Sequence, residues 1–205
     1  MAYKIMAHPT TYRETVFRSR LEARWAAFFD EMGWQWLYEP LELDNYVPDF
    51  MLLGARKVVV EVRPMARLDD EHAVSGKSDL MKVPEGHDLL VLGLTPCIPV
   101  CGFDPNKYKG NHLFAFGLAP LWGARNEVDW KWDACVFVRP AEHSGYRLDF
   151  ADHYGGLWTG KMSGIHDKYG YLDDDAETRA FVDAAWARAG NATQYDPPQV
   201  RRRRR

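Results

Sequence analysis

Two carboxylates and a neighbouring arginine are the residues of this sequence best suited to chemistry. Asp49 follows Pro48 at the start of an apolar segment, and Glu61 lies twelve residues later inside the apolar run Lys57–Arg63 (KVVVEVR). Because side chains alternate along a strand, Glu61 and Arg63 are expected on one face. A carboxylate inside a buried strand is costly unless it is paired or coordinates a cation. Asp49 and Glu61 on adjacent strands would be able to share Mg²⁺, which prefers oxygen ligands.

Glu22 is a third candidate, because it lies one position off the apolar stripe of the preceding predicted helix and would be able to face the same point. Each carboxylate also has a simpler interpretation. Glu22 would pair with Arg18 one helical turn away. Asp49 would be a turn residue after proline, and Glu61 with Arg63 would form an ion pair on one strand face.

The elements that must position these residues follow from hydrophobic periodicity. A stripe recurring at three- and four-residue steps predicts a helix over about 14–32, ending at Gly33 as a left-handed cap. Alternating or continuous apolar runs predict strands at 34–39, 46–53, 57–63 and 88–94, and a polar stretch at 67–82 is compatible with a helix. A helical crossover into the last strand predicts a parallel strand pair.

The second half is harder to interpret. Short strands at 134–138 and 146–150 would be able to pair, 96–109 is turn-rich, and 153–170 shows no period. A closing helix is expected over 176–189, capped by Asp174 and ended by Gly190. The sequence thus predicts an α/β fold with a mixed central sheet flanked by helices and an irregular C-terminal half. Its expected divisions are a core at 1–95, an extension at 96–175, the closing helix within 176–195 and a basic tail at 196–205.

Composition excludes several protein classes. The formal charge is −3, and it falls to −8 without the five C-terminal arginines, which argues against a globally basic nucleic-acid binder. Three cysteines argue against a disulfide framework and indicate a reducing compartment. The N-terminus lacks a signal-peptide pattern, and no apolar run approaches the roughly 20 residues that span a bilayer. We therefore expect a soluble cytoplasmic protein that does not enter membranes.

The flanking residues carry a resemblance to a known family. The sequence resembles the PD-(D/E)XK nuclease superfamily, with Pro48-Asp49 as the PD and Glu61-Val62-Arg63 in the (D/E)XK position. More specifically, it is similar to a group of nuclease-like proteins of bacteriophages and actinobacteria in the stretch FRSRLEARWAAFFDEMGW…YEP…YVPDF…VVVEVRP. The likeness covers roughly residues 13–95 well and 181–195 in outline.

The resemblance implies a restriction-endonuclease-like core and metal-dependent cleavage of DNA phosphodiester bonds. Asp49, Glu61 and the carbonyl of Val62 would bind Mg²⁺ or Mn²⁺, with Glu22 completing the shell directly or through water. The metal would acidify a bound water and neutralise charge on the scissile phosphate. In a phage-encoded protein this would occur in the host cytoplasm, with DNA as the partner and a homodimer or a phage protein as a further one.

Position 63 departs from the family pattern, because arginine stands where the family has lysine. Arginine stays protonated and cannot act as a base, but it can contact a phosphate. Lys77 and Lys82, on the possible following helix, would be able to supply an amine to the site. The alternative function is a catalytically inactive nuclease-fold protein that binds DNA or serves as a phage accessory or structural component.

Weaker signals allow other sites. Cys97, Cys101, His112 and Cys135 would be able to form a zinc site, although their spacing lacks the two tight pairs of a zinc ribbon, and buried free thiols are the simpler interpretation. The arginine run 201–205 would add salt-dependent affinity for phosphates or remain a solvated terminus.

Overall fold

The computed structural model describes residues 8–54, 57–67, 83–84, 86–99, 114–120, 132–138, 149–151 and 176–194. Within these ranges the chain forms β1 Thr10–Tyr12, β2 Thr15–Phe17, α1 Arg20–Met32, β3 Gln35–Tyr38, β4 Phe50–Leu53, β5 Lys57–Val62, β6 His87–Leu92, β7 Ile98–Pro99, β8 Phe114–Ala115, β9 Gly117–Pro120, β10 Trp132–Val138, β11 Asp149–Ala151 and α2 Ala176–Ala192.

A mixed sheet of seven strands forms the centre of the fold. Its order is β11-β10-β9-β6-β5-β4-β3. β5 and β6 run parallel, and each of the other neighbouring pairs is antiparallel. The α/β class and the mixed sheet with a parallel pair are therefore confirmed. β9, β10 and β11 bring the second half of the chain into the same sheet.

The two faces of the sheet bury different sets of residues. Both helices contribute to the larger cluster on one face, where Trp25 of α1 packs against Phe116 and Trp186 with ring centroids 5.8 and 4.7 Å apart. The Trp25 indole also donates a 2.9 Å hydrogen bond to the Gly93 carbonyl, so its buried N–H is satisfied. On the opposite face, Met51, Val59, Leu89, Val91 and Leu118 form a second, smaller cluster.

Helix α1 begins later than the periodicity predicts. Ser19 is its N-cap and accepts a hydrogen bond from the Glu22 N–H, so the predicted start near residue 14 was wrong. Phe17 fits the apolar stripe but reaches the core from β2. The predicted end is confirmed: Gly33 is left-handed at φ 73°, and its N–H and that of Trp34 donate to the last turn.

A tight hairpin, which the sequence analysis did not predict, precedes α1. β1 pairs with β2 across the two residues Arg13 and Glu14. Their φ angles are 43° and 67°, as a type I′ turn requires. Asn and Gly usually fill these positions, because a side chain with a Cβ is strained at positive φ. This turn therefore stores backbone strain just before the segment that leads into α1.

We expect Glu14→Gly to raise the free energy of unfolding by about 1 kcal/mol, because glycine adopts positive φ without steric conflict. Urea denaturation at equilibrium measures the change. Thr11→Gly is the matched control, since the same change inside β1 should instead destabilise the protein. Equal effects of the two substitutions would contradict the strain assigned to the turn.

Helix α2 confirms the predicted closing helix but extends three residues further, to Ala192. The prediction that Gly190 ends it was wrong. A Cβ on Gly190 would come within 3.0 Å of the Arg24 guanidinium, which lies over the Trp186 ring and donates to the Trp186 carbonyl. The lack of a side chain at Gly190 thus allows close packing against Arg24 of α1, and Gly190 does not cap the helix. The proposed cap residue, Asp174, lies outside the described residues.

The predicted strands at 34–39, 57–63 and 88–94 correspond to β3, β5 and β6. The strand predicted over 46–53 is shorter, because β4 starts at Phe50 after Pro48. The pairing of the strands predicted at 134–138 and 146–150 is confirmed by β10 and β11, although β11 begins at Asp149. Most of the possible helix at 67–82 and all of 153–170 fall outside the described ranges. In the described part of the chain, no helix has the length and apolar character to cross a membrane.

Candidate functional site

The ends of β4 and β5 place Asp49 opposite Glu61. The last pair of their antiparallel ladder is Phe50 with Val60, and one further step of the same register joins Asp49 to Glu61. The Arg63 N–H donates to the Leu92 carbonyl of β6, so odd-numbered residues of β5 direct their backbone away from β4. In that register Asp49 and Glu61 would fall at a non-hydrogen-bonded position, where the side chains of facing residues are closest. This register is consistent with the predicted proximity of the two carboxylates, and the charge of Glu61 acts on Asp49.

Asp49 is buried, and each of its carboxylate oxygens has a partner. Oδ2 accepts a 2.7 Å hydrogen bond from the Val62 N–H. Oδ1 pairs with the guanidinium of Arg18. The simpler interpretation of Asp49 as only a turn residue is therefore insufficient, because its side chain crosses to the neighbouring strand and meets a cation.

Pro48 lies just beyond the last pair of the β4–β5 ladder and has no N–H to donate. The antiparallel ladder ends at the pair of Phe50 with Val60, and the Val62 N–H donates to Oδ2 of Asp49 rather than to the main chain before β4. Proline has no N–H and cannot donate to the Val62 carbonyl. The N–H and C=O of a strand residue face the same neighbour, so this carbonyl faces the side from which Asp49 approaches. A main-chain hydrogen bond from position 48 to the carbonyl predicted as a metal ligand is therefore impossible.

Each carboxylate oxygen of Glu61 also has a partner. Its Oε2 accepts a 2.6 Å hydrogen bond from the Tyr46 hydroxyl, and its Oε1 lies 2.5 Å from Nη2 of Arg63. The ion pair on one strand face is therefore present, as the simpler interpretation predicts. Burial and the charge of Glu61 raise the pKa of Tyr46, so this phenol remains a neutral donor. Tyr46 was missed as a site residue because it was interpreted as the first residue of the strand predicted over 46–53, whereas it lies before β4 and bridges to Leu43.

Arg63 presents one unused donor. Among the described residues, its Nε is buried and has no hydrogen-bond partner, while Nη2 is bound to Glu61. A buried donor without a partner is uncommon in folded proteins, since it loses the hydrogen bonds of water. The Arg63 side chain keeps about a quarter of its surface exposed, so it lies at the rim of the site.

Glu22 occupies the first turn of α1 and has a structural role there. Its carboxylate accepts 2.7 Å hydrogen bonds from the Ser19 and Tyr38 hydroxyls, and its own N–H donates to Ser19 Oγ. These contacts resemble a capping box, which satisfies free N–H groups at a helix start. The simpler interpretation, a pair with Arg18, is also present at 3.8 Å.

Arg18 connects the carboxylates of Asp49, Glu39 and Glu22. It pairs with Asp49 and lies 2.8 Å from Glu39 and 3.8 Å from Glu22. From the sequence, only a local pair with Glu22 was expected for Arg18. Its contact with Asp49 spans 31 residues of sequence and leaves no periodic signal that would have revealed it.

The electrostatics of the site raise the pKa of Asp49 from its usual value of 3.8 to about 7. Burial is the largest cause, and the negative charge of Glu61 is the second. The Val62 N–H and the Arg18 guanidinium oppose the shift without overcoming it. Two facing carboxylates in a buried position therefore repel each other, and a bound cation would relieve that repulsion.

The donor set suits a hard divalent cation. Two opposed carboxylates and a strand carbonyl supply the oxygen ligands that Mg²⁺ and Mn²⁺ accept. Within the described ranges, no group of three or more His, Cys, Asp or Glu side chains is already arranged to hold a metal. Glu22 is directed into the cap of α1, so Asp49, Glu61 and the Val62 carbonyl are the fitting ligands.

The remaining predicted site residues are not brought together here. Lys77 and Lys82 lie outside the described residues, as do Cys101 and His112 of the possible zinc site. Cys97 and Cys135 are both buried.

Comparisons of the chain with protein-family models, with curated proteins and with solved structures yield no match. Membership of the nuclease superfamily therefore stays a prediction, made from the residues that carry the resemblance.

Proposed function

We propose that this protein is a metal-dependent nuclease that hydrolyses DNA phosphodiester bonds, built on a restriction-endonuclease-like core. The observation that carries the proposal is the opposed pair of buried carboxylates, Asp49 and Glu61. Such a pair is electrostatically unfavourable by itself, as the raised pKa of Asp49 indicates. A divalent cation bound by both carboxylates would relieve their repulsion and supply Lewis acidity for hydrolysis.

In the proposed mechanism, some residues bind the metal and others orient those ligands. Asp49, Glu61 and the Val62 carbonyl would hold Mg²⁺ or Mn²⁺, which supplies Lewis acidity to the phosphate and to water. The Val62 N–H and the Tyr46 hydroxyl orient one oxygen of each carboxylate. Ligand orientation by such hydrogen bonds is a general feature of protein metal sites.

Arg63 is proposed to contact the phosphate. Its guanidinium lies at the rim of the site, where about a quarter of the side chain is exposed, and this position suits an anionic oxygen that arrives from solvent. Charge-assisted hydrogen bonds from arginine to phosphate are strong and directional. Arg63 would thereby stabilise charge in the transition state, while the general base must be another group or a water.

A second candidate function is a nuclease-fold protein without catalytic activity that binds DNA or a protein partner. The observation that favours it is that each central carboxylate already has an arginine counter-ion, Arg18 on Asp49 and Arg63 on Glu61. Two guanidinium groups can neutralise two carboxylates without a metal. The two functions differ in whether the pair binds a metal and cleaves DNA.

Cleavage of supercoiled plasmid and of a single-stranded oligonucleotide, with Mg²⁺ or Mn²⁺ and with EDTA as the blank, tests the proposal. We expect nicking by the natural protein that depends on the metal. Arg63→Lys, which restores the family residue, should cleave at least as fast, and Arg67→Lys is the matched control outside the site. Cleavage by Arg63→Lys alone would identify a site disarmed by one substitution. No cleavage by either protein would refute the nuclease and support the binding role.

A further inference from the structure

Arg18 lies where a cation would be expected at this site. Its Nη2 is on Oδ1 of Asp49, and its Nε is 2.8 Å from Oε1 of Glu39. The guanidinium therefore bridges a buried carboxylate and a partly exposed one. Oδ2 of Asp49 accepts from the Val62 N–H, so Oδ1 is the oxygen held by Arg18 rather than by the main chain.

The two arginines of the site differ in how readily they can leave. The Arg18 side chain is 54% exposed, whereas that of Arg63 is 25% exposed. A half-exposed guanidinium regains water when it breaks a contact, so its departure is less costly than that of a more buried one. Arg18 can also release Asp49 and keep its separate contact with Glu39, because different nitrogens make the two contacts.

We propose that Arg18 is an internal counter-ion that competes with the divalent cation for Oδ1 of Asp49. The inference rests on the proposed function, since it assumes that a metal binds at Asp49. Without metal, Arg18 compensates the buried charge; when metal binds, the guanidinium leaves Asp49 and stays on Glu39. Metal affinity is thus lower than the carboxylates alone would allow.

Calorimetric titration of the full-length protein with Mn²⁺ at pH 7.5 tests the competition directly, without reliance on cleavage. We expect Arg18→Gln to bind Mn²⁺ about tenfold more tightly than the natural protein, because a charge-assisted contact no longer has to be broken. Arg20→Gln removes the same charge from an exposed residue two positions away and should change the affinity little.

Arg18→Lys guards against a folding defect in Arg18→Gln, because it retains a positive charge near Asp49. One ammonium group cannot maintain the forked contacts to Asp49 and Glu39, so its Mn²⁺ affinity should lie between those of Arg18→Gln and the natural protein. Circular dichroism checks that each variant is folded.

The outcomes separate this inference from the proposed function. Equal Mn²⁺ affinity in the natural protein and folded Arg18 variants would refute the competition but leave the metal site intact. An equal gain in Arg20→Gln would mean that long-range charge, rather than the contact with Asp49, sets the affinity, and would also refute it. No Mn²⁺ binding by any variant would overturn both proposals together.

Discussion

Glu61→Gln is expected to lower the rate of metal-dependent DNA cleavage by about a hundred- to a thousandfold. Glutamine has nearly the same shape and can still accept the hydrogen bond from Tyr46, but it loses the ion pair with Arg63, so stability is measured alongside activity. It removes the negative charge that would bind the cation opposite Asp49. Loss of one group that stabilises charge in a transition state commonly has an effect of this size.

The measurement is the initial rate of plasmid nicking at saturating Mg²⁺, alongside thermal unfolding with and without metal. Metal should stabilise the natural protein and should stabilise Glu61→Gln much less. Glu42→Gln is the control, because it removes the same charge from an exposed residue outside the site. If Glu61→Gln cleaved at the natural rate, Glu61 would not be a metal ligand, and the proposed mechanism would be wrong.

The second large effect concerns stability and pH at Asp49. The pKa of this carboxyl is raised from 3.8 to about 7 in the folded protein. As pH rises between these values, the unfolded chain releases the proton while the folded chain retains it. The folded state is therefore favoured at low pH, and this contribution is lost as pH approaches the folded pKa. The full shift corresponds to roughly 4 kcal/mol.

Asp49→Asn removes this dependence while preserving an oxygen that can accept from the Val62 N–H. Urea denaturation from pH 4 to 8 measures the free energy of unfolding of both proteins. The value for the natural protein minus the value for Asp49→Asn should fall steadily as pH rises. Asp44→Asn, in the exposed turn before Tyr46, is the matched control for loss of a carboxylate charge outside the buried pair. Saturating Mg²⁺ should reduce the loss in the natural protein. A pH-independent difference would show that the pKa of Asp49 is not raised.

The site residues themselves could be predicted because their signals are local. A proline directly before Asp49, and a carboxylate inside the apolar run that became β5, are visible in the printed sequence. Desolvation makes such a carboxylate conspicuous wherever it occurs. The sequence suggested that the two residues lie on adjacent strands, and β4 and β5 do pair, with Asp49 just beyond the last pair of the ladder.

The predicted ends of the helices were wrong where one sequence pattern is compatible with two different structures. Phe17 extends the apolar stripe of α1, yet it belongs to β2 and enters the same core from a strand. Gly190 has the character of a helix stop but packs against Arg24 in the interior of α2. Periodicity reports which residues are buried, and it does not report which element carries them.

Sequence alone determined the α/β class, the main strands, the closing helix and the carboxylates that a site would use. These depend on alternation, apolar period and backbone chemistry, which act over a few residues. Tertiary structure alone decided that Arg18 meets Asp49 and that Tyr46 meets Glu61. Such contacts join residues far apart in the chain, and they depend on side-chain direction and burial, which have no period. The charge state of the site follows from those contacts.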